Sequence, residues 1–355
     1  MILLGSTGSI GVNTLKVAKK HNLKVEVLVA GKSIELLNKQ IKEFSPKYVV
    51  VQNKDDVKEV CHDRVYYGEE GILEVLNKAS SKLVVNSLVG FAGLKPTLEA
   101  VKLGKKLALA NKESLVVGGE FIDTTNITPI DSEHFGLWYL LQDKKLSSMT
   151  ITASGGSFRD TPLEKLKTVT VKEALNHPNW SMGKKITIDS ATMVNKLFEL
   201  LEARWLFDTD KIDAVIETKS IIHALINFVD GSSTAHIAGV DMKLPISYAI
   251  LDKVEDEVLK PIDLVEVGSL EFRKIQQDRY PIWAIKDKLL KNPHLGVVVN
   301  ASNEVAIEKF FSGNGSFLDI PKTIMRALEK FDDIKATSSD ELFEIDREVR
   351  KYATT

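Results

Sequence analysis

Over the first ~130 residues, short aliphatic and β-branched runs alternate with longer stretches of helical period. MILL, VEVLVA, YVVVQ, LVVNSLV and KLALAN read as strands, whereas LKVAKKH, SIELLNKQIKEF, GILEVLNKA and LKPTLEAVKLG read as helices. Such alternation predicts an α/β fold with a parallel sheet covered on both faces. From about Met149 the character changes: SMTITASGGSF is a strand ending in a glycine turn, and IIHALINFVDGSSTAHIAGV is a hairpin about Asp230-Gly231. Beyond Pro281 only helical patterns remain: EVAIEKFF, IPKTIMRALEKF and SDELFEIDREVRKY. The boundaries drawn are 1–130 for the α/β domain, 131–265 for an α+β domain, 266–280 for a linker and 281–355 for a helical domain.

The 355 residues exceed what one hydrophobic core usually serves, which fits several domains. A formal net charge of −2 gives no global attraction to nucleic acid or an anionic membrane. The lone cysteine, Cys61, sits among charges in KDDVKEVCHDR and has no partner for an intramolecular disulfide, which points to a reducing compartment. No apolar run approaches the ~20 residues of a membrane span. Met1 leads straight into a strand, so the expectation is a cytoplasmic protein without a signal peptide.

Candidate chemistry begins after the first strand, where Gly5-Ser6-Thr7-Gly8-Ser9-Ile10-Gly11 opens a helix. Glycines there let the backbone approach a pyrophosphate, whose charge suits a helix N-terminus. The second strand ends in Gly31-Lys32-Ser33, a cation and a hydroxyl where an NAD enzyme usually places an acid for the ribose 2′-hydroxyl. NADPH is the expected cofactor.

Ala110-Asn111-Lys112-Glu113-Ser114 follows another strand, at the end of the sheet where ligands bind. In Asp131-Ser132-Glu133-His134, an extended backbone would point Asp131 and Glu133 to one side, and paired carboxylates suit a hard cation such as Mg²⁺ or Mn²⁺. A helix beginning near Ser190 carries Val194, Leu197, Phe198, Leu201 and Trp205 as an apolar stripe. Asn195, Glu199 and Glu202 lie on its other side, with Lys196 at the margin. Taken alone, these charges also fit a solvated face. With Ser154 and Ser190, Asn195 and Lys196 make a plausible phosphate cradle one turn from a metal-binding Glu199. Just before that helix lies HPNWSMG, residues 177–183, which sets a Trp and a Met on a loop without period.

Taken together, Gly5–Gly11, Ala110–Ser114, Asp131–His134, Ser154-Gly-Gly156, His177-Pro-Asn-Trp-Ser-Met-Gly183, Asp189-Ser-Ala-Thr192, Asn195-Lys196, Glu199 and Glu202-Ala-Arg-Trp205 carry a resemblance along essentially the whole chain. The sequence resembles the 1-deoxy-D-xylulose 5-phosphate reductoisomerases. The resemblance implies a Rossmann-like NADPH domain, a catalytic domain with a mobile flap, and a C-terminal helical domain. It implies a cation held by Asp131, Glu133 and Glu199, and a sugar phosphate held by Ser154, Ser190, Asn195 and Lys196. Lys112 and Ser132 would touch substrate oxygens, with Lys112 and Glu133 among the candidates for moving protons. His177 and Trp180 would belong to the flap over the substrate, with Gly183 near the cofactor, and Asn111 and Glu113 would join the cofactor site. A homodimer formed through the sheet of the middle domain is expected as well. The sequence departs at Ser33, where many relatives have Asn, and at Ser157, where Pro is common; neither removes a proposed ligand.

The implied reaction rearranges a carbon skeleton and then reduces the resulting aldehyde. Two other readings share the nucleotide domain. A semialdehyde-type dehydrogenase needs a thiolate nucleophile, and Cys61 lies in a charged stretch far from any catalytic pattern. A nucleotide sensor without chemistry would have no use for three converging carboxylates and a phosphate cradle.

Overall fold

Seven short strands make the first sheet: β1 (Ile2–Leu4), β2 (Val27–Ala30), β3 (Tyr48–Val51), β4 (Val65–Tyr67), β5 (Leu83–Asn86), β6 (Lys106–Leu109) and β7 (Ile127–Pro129). The computed structural model describes residues 1–355. Every neighbouring pair is parallel, in the order β4-β3-β2-β1-β5-β6-β7. Helices α1 (Ser9–Lys20), α2 (Ile34–Phe44), α3 (Gly68–Lys78), α4 (Leu94–Lys102) and α5 (Lys112–Gly118) follow their strands in turn. Leu3, Leu28, Val49 and Val85 are fully buried, which explains why the central strands read as unbroken apolar runs. Strand order reverses between β1 and β5, and in open α/β sheets the crevice at such a reversal takes the ligand.

The second sheet is mixed, with neighbours in the order β11-β10-β8-β9-β12. The chain reaches it through α6 (Ser132–Leu140) and β8 (Leu146–Ala153), then α7 (Val171–Ala174), α8 (Lys184–Thr192) and α9 (Val194–Phe207). Strands β9 (Ile212–Glu217), β10 (Ile222–Phe228) and β11 (Ser233–Ile237) follow, the last two pairing as the expected hairpin. Next comes α10 (Lys243–Ile250), whose Ile246, Ala249 and Ile250 are buried in the core of the first sheet. After α11 (Leu264–Val267), β12 (Phe272–Arg273) pairs antiparallel with β9. The chain ends in α12 (Lys286–Lys291), α13 (Gly296–Phe311), α14 (Asp319–Lys330) and α15 (Ser339–Thr354). No helix is long and apolar enough to cross a membrane.

Two compact units result. One contains Met1–Ser114, Ile122–Ser132 and Asp241–Leu259; the other contains Leu115–Phe121, Glu133–Val240 and Lys260–Thr355. The stretch 241–259 thus joins the first unit, although the sequence boundaries place it in the catalytic domain, because α10 has its apolar face against the first sheet. Residues 266–280, drawn as a linker, supply β12, and the C-terminal helices share one unit with the second sheet.

Three local expectations change. Asp131-Ser-Glu-His is not extended past Asp131: α6 starts at Ser132, so Glu133 lies in a helical first turn. The helix expected from Ser190 is two helices, broken at Met193, whose φ of 71° is left-handed. The polar side of α9 is no solvated face, since Lys196, Glu199 and Glu202 are all buried.

Candidate functional site

In the first unit the glycine run is shaped by close approaches that no side chain would survive. A Cβ on Gly5, whose φ is +87°, would meet the Ser87 carbonyl oxygen at 2.6 Å. One on Gly11 would meet the Gly5 carbonyl oxygen at 2.2 Å. The loop after β1 therefore lies tight against the loop after β5, and α1 begins at Ser9 with no side chain capping its first N–H groups. Uncapped N–H groups at a helix start favour an anion. Ser6 is buried, and its carbonyl accepts from Gln40 Nε2 at 2.9 Å. Gly31 is half-buried, and Lys32 and Ser33 are exposed at the start of α2.

Asn111, expected beside the cofactor, has its side chain committed to framework. Its Nδ2 donates to the carbonyls of Leu88 and Gly90, both at 2.9 Å, and to Glu113 Oε2 at 3.2 Å. Its Oδ1 accepts from Ser114 N at 3.1 Å. The pair Asn111 and Glu113 thus holds the loop after β5 against the start of α5. Next to them, the buried Lys112 ammonium pairs with the Asp131 carboxylate.

In the second unit, Glu133 and Glu199 converge. Lys196 Nζ lies 2.9 Å from Glu133 Oε1, pairs with Glu199, and donates to the Thr152 carbonyl. Burial pulls the Lys196 pKa down, but Glu133 and Glu199 outweigh it and hold the ammonium above its ordinary value. Asn195 Nδ2 donates to Glu199 Oε1 at 2.5 Å. His134 Nε2 sits 2.8 Å from the Glu199 carbonyl oxygen, and its Nδ1 lies 3.2 Å from Glu202 Oε2. Two carboxylates that share one ammonium are close enough to share a metal ion, and their hard oxygens fit a divalent cation. Asp131 lies immediately before α6, two residues ahead of Glu133 in the chain.

A second cluster gathers at the glycine turn after β8. Ser154 Oγ lies 2.8 Å and Ser190 Oγ 3.2 Å from His177 Nε2. The turn needs its glycines: a Cβ on Gly156, at φ +69°, would meet Ala191 Cα at 2.6 Å. That contact is what brings Ser154 to the end of α8. Lys196, expected in this cradle, spends its hydrogen bonds on the two glutamates and Thr152. Arg159, which the sequence offered no reason to single out in SFRD, donates to the carbonyls of Ser154 and Thr218 at 2.8 and 3.0 Å. Asn179, to which the sequence assigns no role of its own, has its Nδ2 donating to Thr218 O and Ser220 Oγ and ties down the HPNWSMG loop. In that loop Trp180 is half-buried, its ring 6.2 Å from His223 in an edge-on contact, and Gly183 is exposed at the start of α8.

Burial lowers the His177 pKa to about 4, with repulsion from the Arg159 guanidinium adding to the shift. The imidazole is therefore neutral at pH 7. A midpoint near 4 is expected when its ring signals are followed by NMR; a midpoint near 6.5 would contradict the burial argument. Because the folded ring binds its proton more weakly than the unfolded one, stability is unaffected by this group above about pH 6.5. It falls as the pH drops from there toward 4.

Comparison with known proteins follows the same lines. Residues 1–119 match the family model for 1-deoxy-D-xylulose 5-phosphate reductoisomerase, residues 127–207 that of its C-terminal domain, and residues 237–352 a DXP reductoisomerase C-terminal domain. The 1-deoxy-D-xylulose 5-phosphate reductoisomerase of Nautilia profundicola is 60% identical over 360 residues, covering 99% of this chain and 98% of that one. That of Wolinella succinogenes is 55% identical over 356 residues, covering 99% of each. Among solved structures, a DOX-P reductoisomerase in complex with NADPH, fosmidomycin and magnesium superposes with a TM-score of 0.93 at 33% identity, over 99% of this chain and 97% of that one. The Zymomonas mobilis enzyme in complex with NADPH gives 0.89 at 30% identity, with the same coverage. The chain belongs to the 1-deoxy-D-xylulose 5-phosphate reductoisomerase family.

Proposed function

We propose that this chain converts 1-deoxy-D-xylulose 5-phosphate into 2-C-methyl-D-erythritol 4-phosphate for isoprenoid precursor synthesis, using NADPH and a divalent cation, Mg²⁺ or Mn²⁺. The observation that carries this reading is the convergence of Glu133 and Glu199 on a single ammonium. With Asp131 they offer the all-oxygen ligand set that such a cation takes. When bound, the cation supplies stabilisation of negative charge developing on adjacent substrate oxygens, and NADPH supplies the hydride.

The chain's own residues do the rest. Ser154, Ser190 and Asn195 bind the phosphate as a remote handle, so that binding energy positions the reacting carbons. His177, neutral and bonded to both serines, orients their hydroxyls. Lys196 balances the charge of the glutamates, and Lys112 and Ser132 address substrate oxygens. Lys112 and Glu133 are among our candidates for moving protons. Trp180 and the rest of 177–183 cover the substrate and exclude water. Gly5 through Ile10, Gly31, Lys32, Ser33 and Gly183 face the cofactor, while Asn111 and Glu113 act through the loop they hold. On this reading the first unit binds nucleotide and the second carries the substrate cradle.

The test is formation of the methylerythritol phosphate from the deoxyxylulose phosphate by the purified chain, with NADPH consumed and with Mg²⁺ added or chelated. No product in the presence of Mg²⁺ refutes the proposal. A thiolate route has only Cys61 to draw on, and that residue is exposed with its backbone N–H bonded to Asn38.

NADPH should be preferred to NADH. The exposed Lys32 meets a 2′-phosphate with a contact of about 1.5–3 kcal/mol, roughly 10- to 150-fold in kcat/KM. Equal kcat/KM for the two cofactors would remove Lys32 from the site.

We also propose a homodimer formed through the second sheet. β11 is an edge strand, and Ile237 on it is exposed along with Trp138, Tyr139 and Leu141 of the neighbouring helix end. An unpaired edge beside exposed aromatics suits a second copy. A monomeric mass by light scattering at working concentration would exclude it. The lone exposed thiol also suits the cytoplasm, and a secreted protein in fractionated cells would exclude that.

A further inference from the structure

Asp189, the residue before Ser190, is a fully buried carboxylate that no step above uses. A buried carboxylate is costly unless each oxygen is paired. Here Oδ1 accepts from Asn303 Nδ2 at 2.7 Å, and Oδ2 accepts from Lys185 Nζ at 2.9 Å. Lys185 stands one turn earlier on α8, with its ammonium 5.4 Å from the Phe198 ring centre. Asn303 comes from α13, 114 residues away, and is itself completely buried. Its own Oδ1 has no hydrogen-bond partner in the protein, so the amide is oriented to serve Asp189 at the expense of its own acceptor.

The position of this network gives it a use. α8 ends at Thr192 and the left-handed Met193 interrupts the backbone, so the last turn is not held by a continuing helix. Successive helical residues are about 100° apart around the axis. A carboxylate tied at both oxygens therefore fixes the rotation of that turn, and with it the direction of the Ser190 hydroxyl toward His177. We infer that Asn303 and Lys185 are positioning residues for phosphate recognition, anchoring the Ser190 end of the cradle to α13 through Asp189. The inference rests on the reading of Ser154 and Ser190 as phosphate ligands.

Asn303→Ala in the full-length holoenzyme should raise KM for 1-deoxy-D-xylulose 5-phosphate about tenfold, with kcat reduced less than threefold and NADPH affinity unchanged. Exchanging the pair, as Asp189→Asn with Asn303→Asp, keeps one amide–carboxylate bond between the two helices and should recover most of the lost KM. An unchanged KM in a folded Asn303→Ala protein overturns the inference. So does a parallel loss of kcat, NADPH affinity and KM that the exchange does not repair, since general loosening predicts that pattern. Should the alanine variant fail to fold, Lys185→Met, altered at the partly open end of the network, is read by the same split between KM and kcat. Ser190→Ala separates the two levels. If it leaves KM unchanged, the phosphate reading itself fails; if it raises KM while Asn303→Ala does not, only the anchoring role is lost.

Discussion

Glu199→Gln is expected to lower kcat/KM by roughly a thousandfold or more, about 4 kcal/mol of transition-state stabilisation, with NADPH affinity nearly unchanged. The substitution keeps the volume of a residue that is 1% exposed and removes one negative charge. Lys196 keeps Glu133 and the Thr152 carbonyl as partners, so its ammonium is not stranded and the fold should persist. On the proposed reading, the cation would lose an anionic ligand and meet the Lys196 charge with less to balance it. Calorimetric titration with Mn²⁺ should show weakened binding in parallel with the lost turnover. Normal turnover at saturating Mg²⁺ would mean that Glu199 serves only to neutralise Lys196.

Trp180→Ala is expected to cost roughly 2–4 kcal/mol in kcat/KM, a loss of about 30- to 1,000-fold, by analogy with aromatic hot spots. The free enzyme should melt within a few degrees of its normal temperature. Trp180 is only half-buried, on a loop anchored through His177 and Asn179, and its ring touches His223 by an edge. A core Trp replaced by Ala would instead destabilise by about 3–5 kcal/mol. A sharply lowered Tm with intact kcat/KM would make Trp180 a packing residue and leave the substrate without an aromatic cover.

What could be read ahead of the structure follows from where partners lie along the chain. Strands β1, β2 and β3 are apolar runs, β5 and β6 are apolar except for the terminal Asn86 and Lys106, and their alternation with amphipathic helices suffices for the first sheet. The two edge strands, β4 and β7, have no such run; β7 even ends in Pro129, which an edge tolerates because one side of its ladder goes unpaired. The helical start at Ser132 has a signal in the sequence, Asp131 just ahead of it and Glu133 in its first turn, that competes with the extended pattern. The left-handed Met193 carried none, since neither Gly nor Asn marks it. Lys196, Glu199 and Glu202 look like a solvated face because local period cannot reveal partners such as Glu133 and His134, which arrive from more than 60 residues upstream. Resemblance located these residues; only the packing explains how three charges tolerate burial.

The return of α10 to the first sheet bears on how the protein emerges from the ribosome. Ile246, Ala249 and Ile250 help close a core whose other walls are made before residue 131. Until Leu259 has been synthesised, those walls have an apolar surface without its cover, a target for chaperones and for proteolysis. The nucleotide end, though encoded first, is completed only after β8 through β11 have left the tunnel. Neither unit can be cut from the chain as one uninterrupted piece.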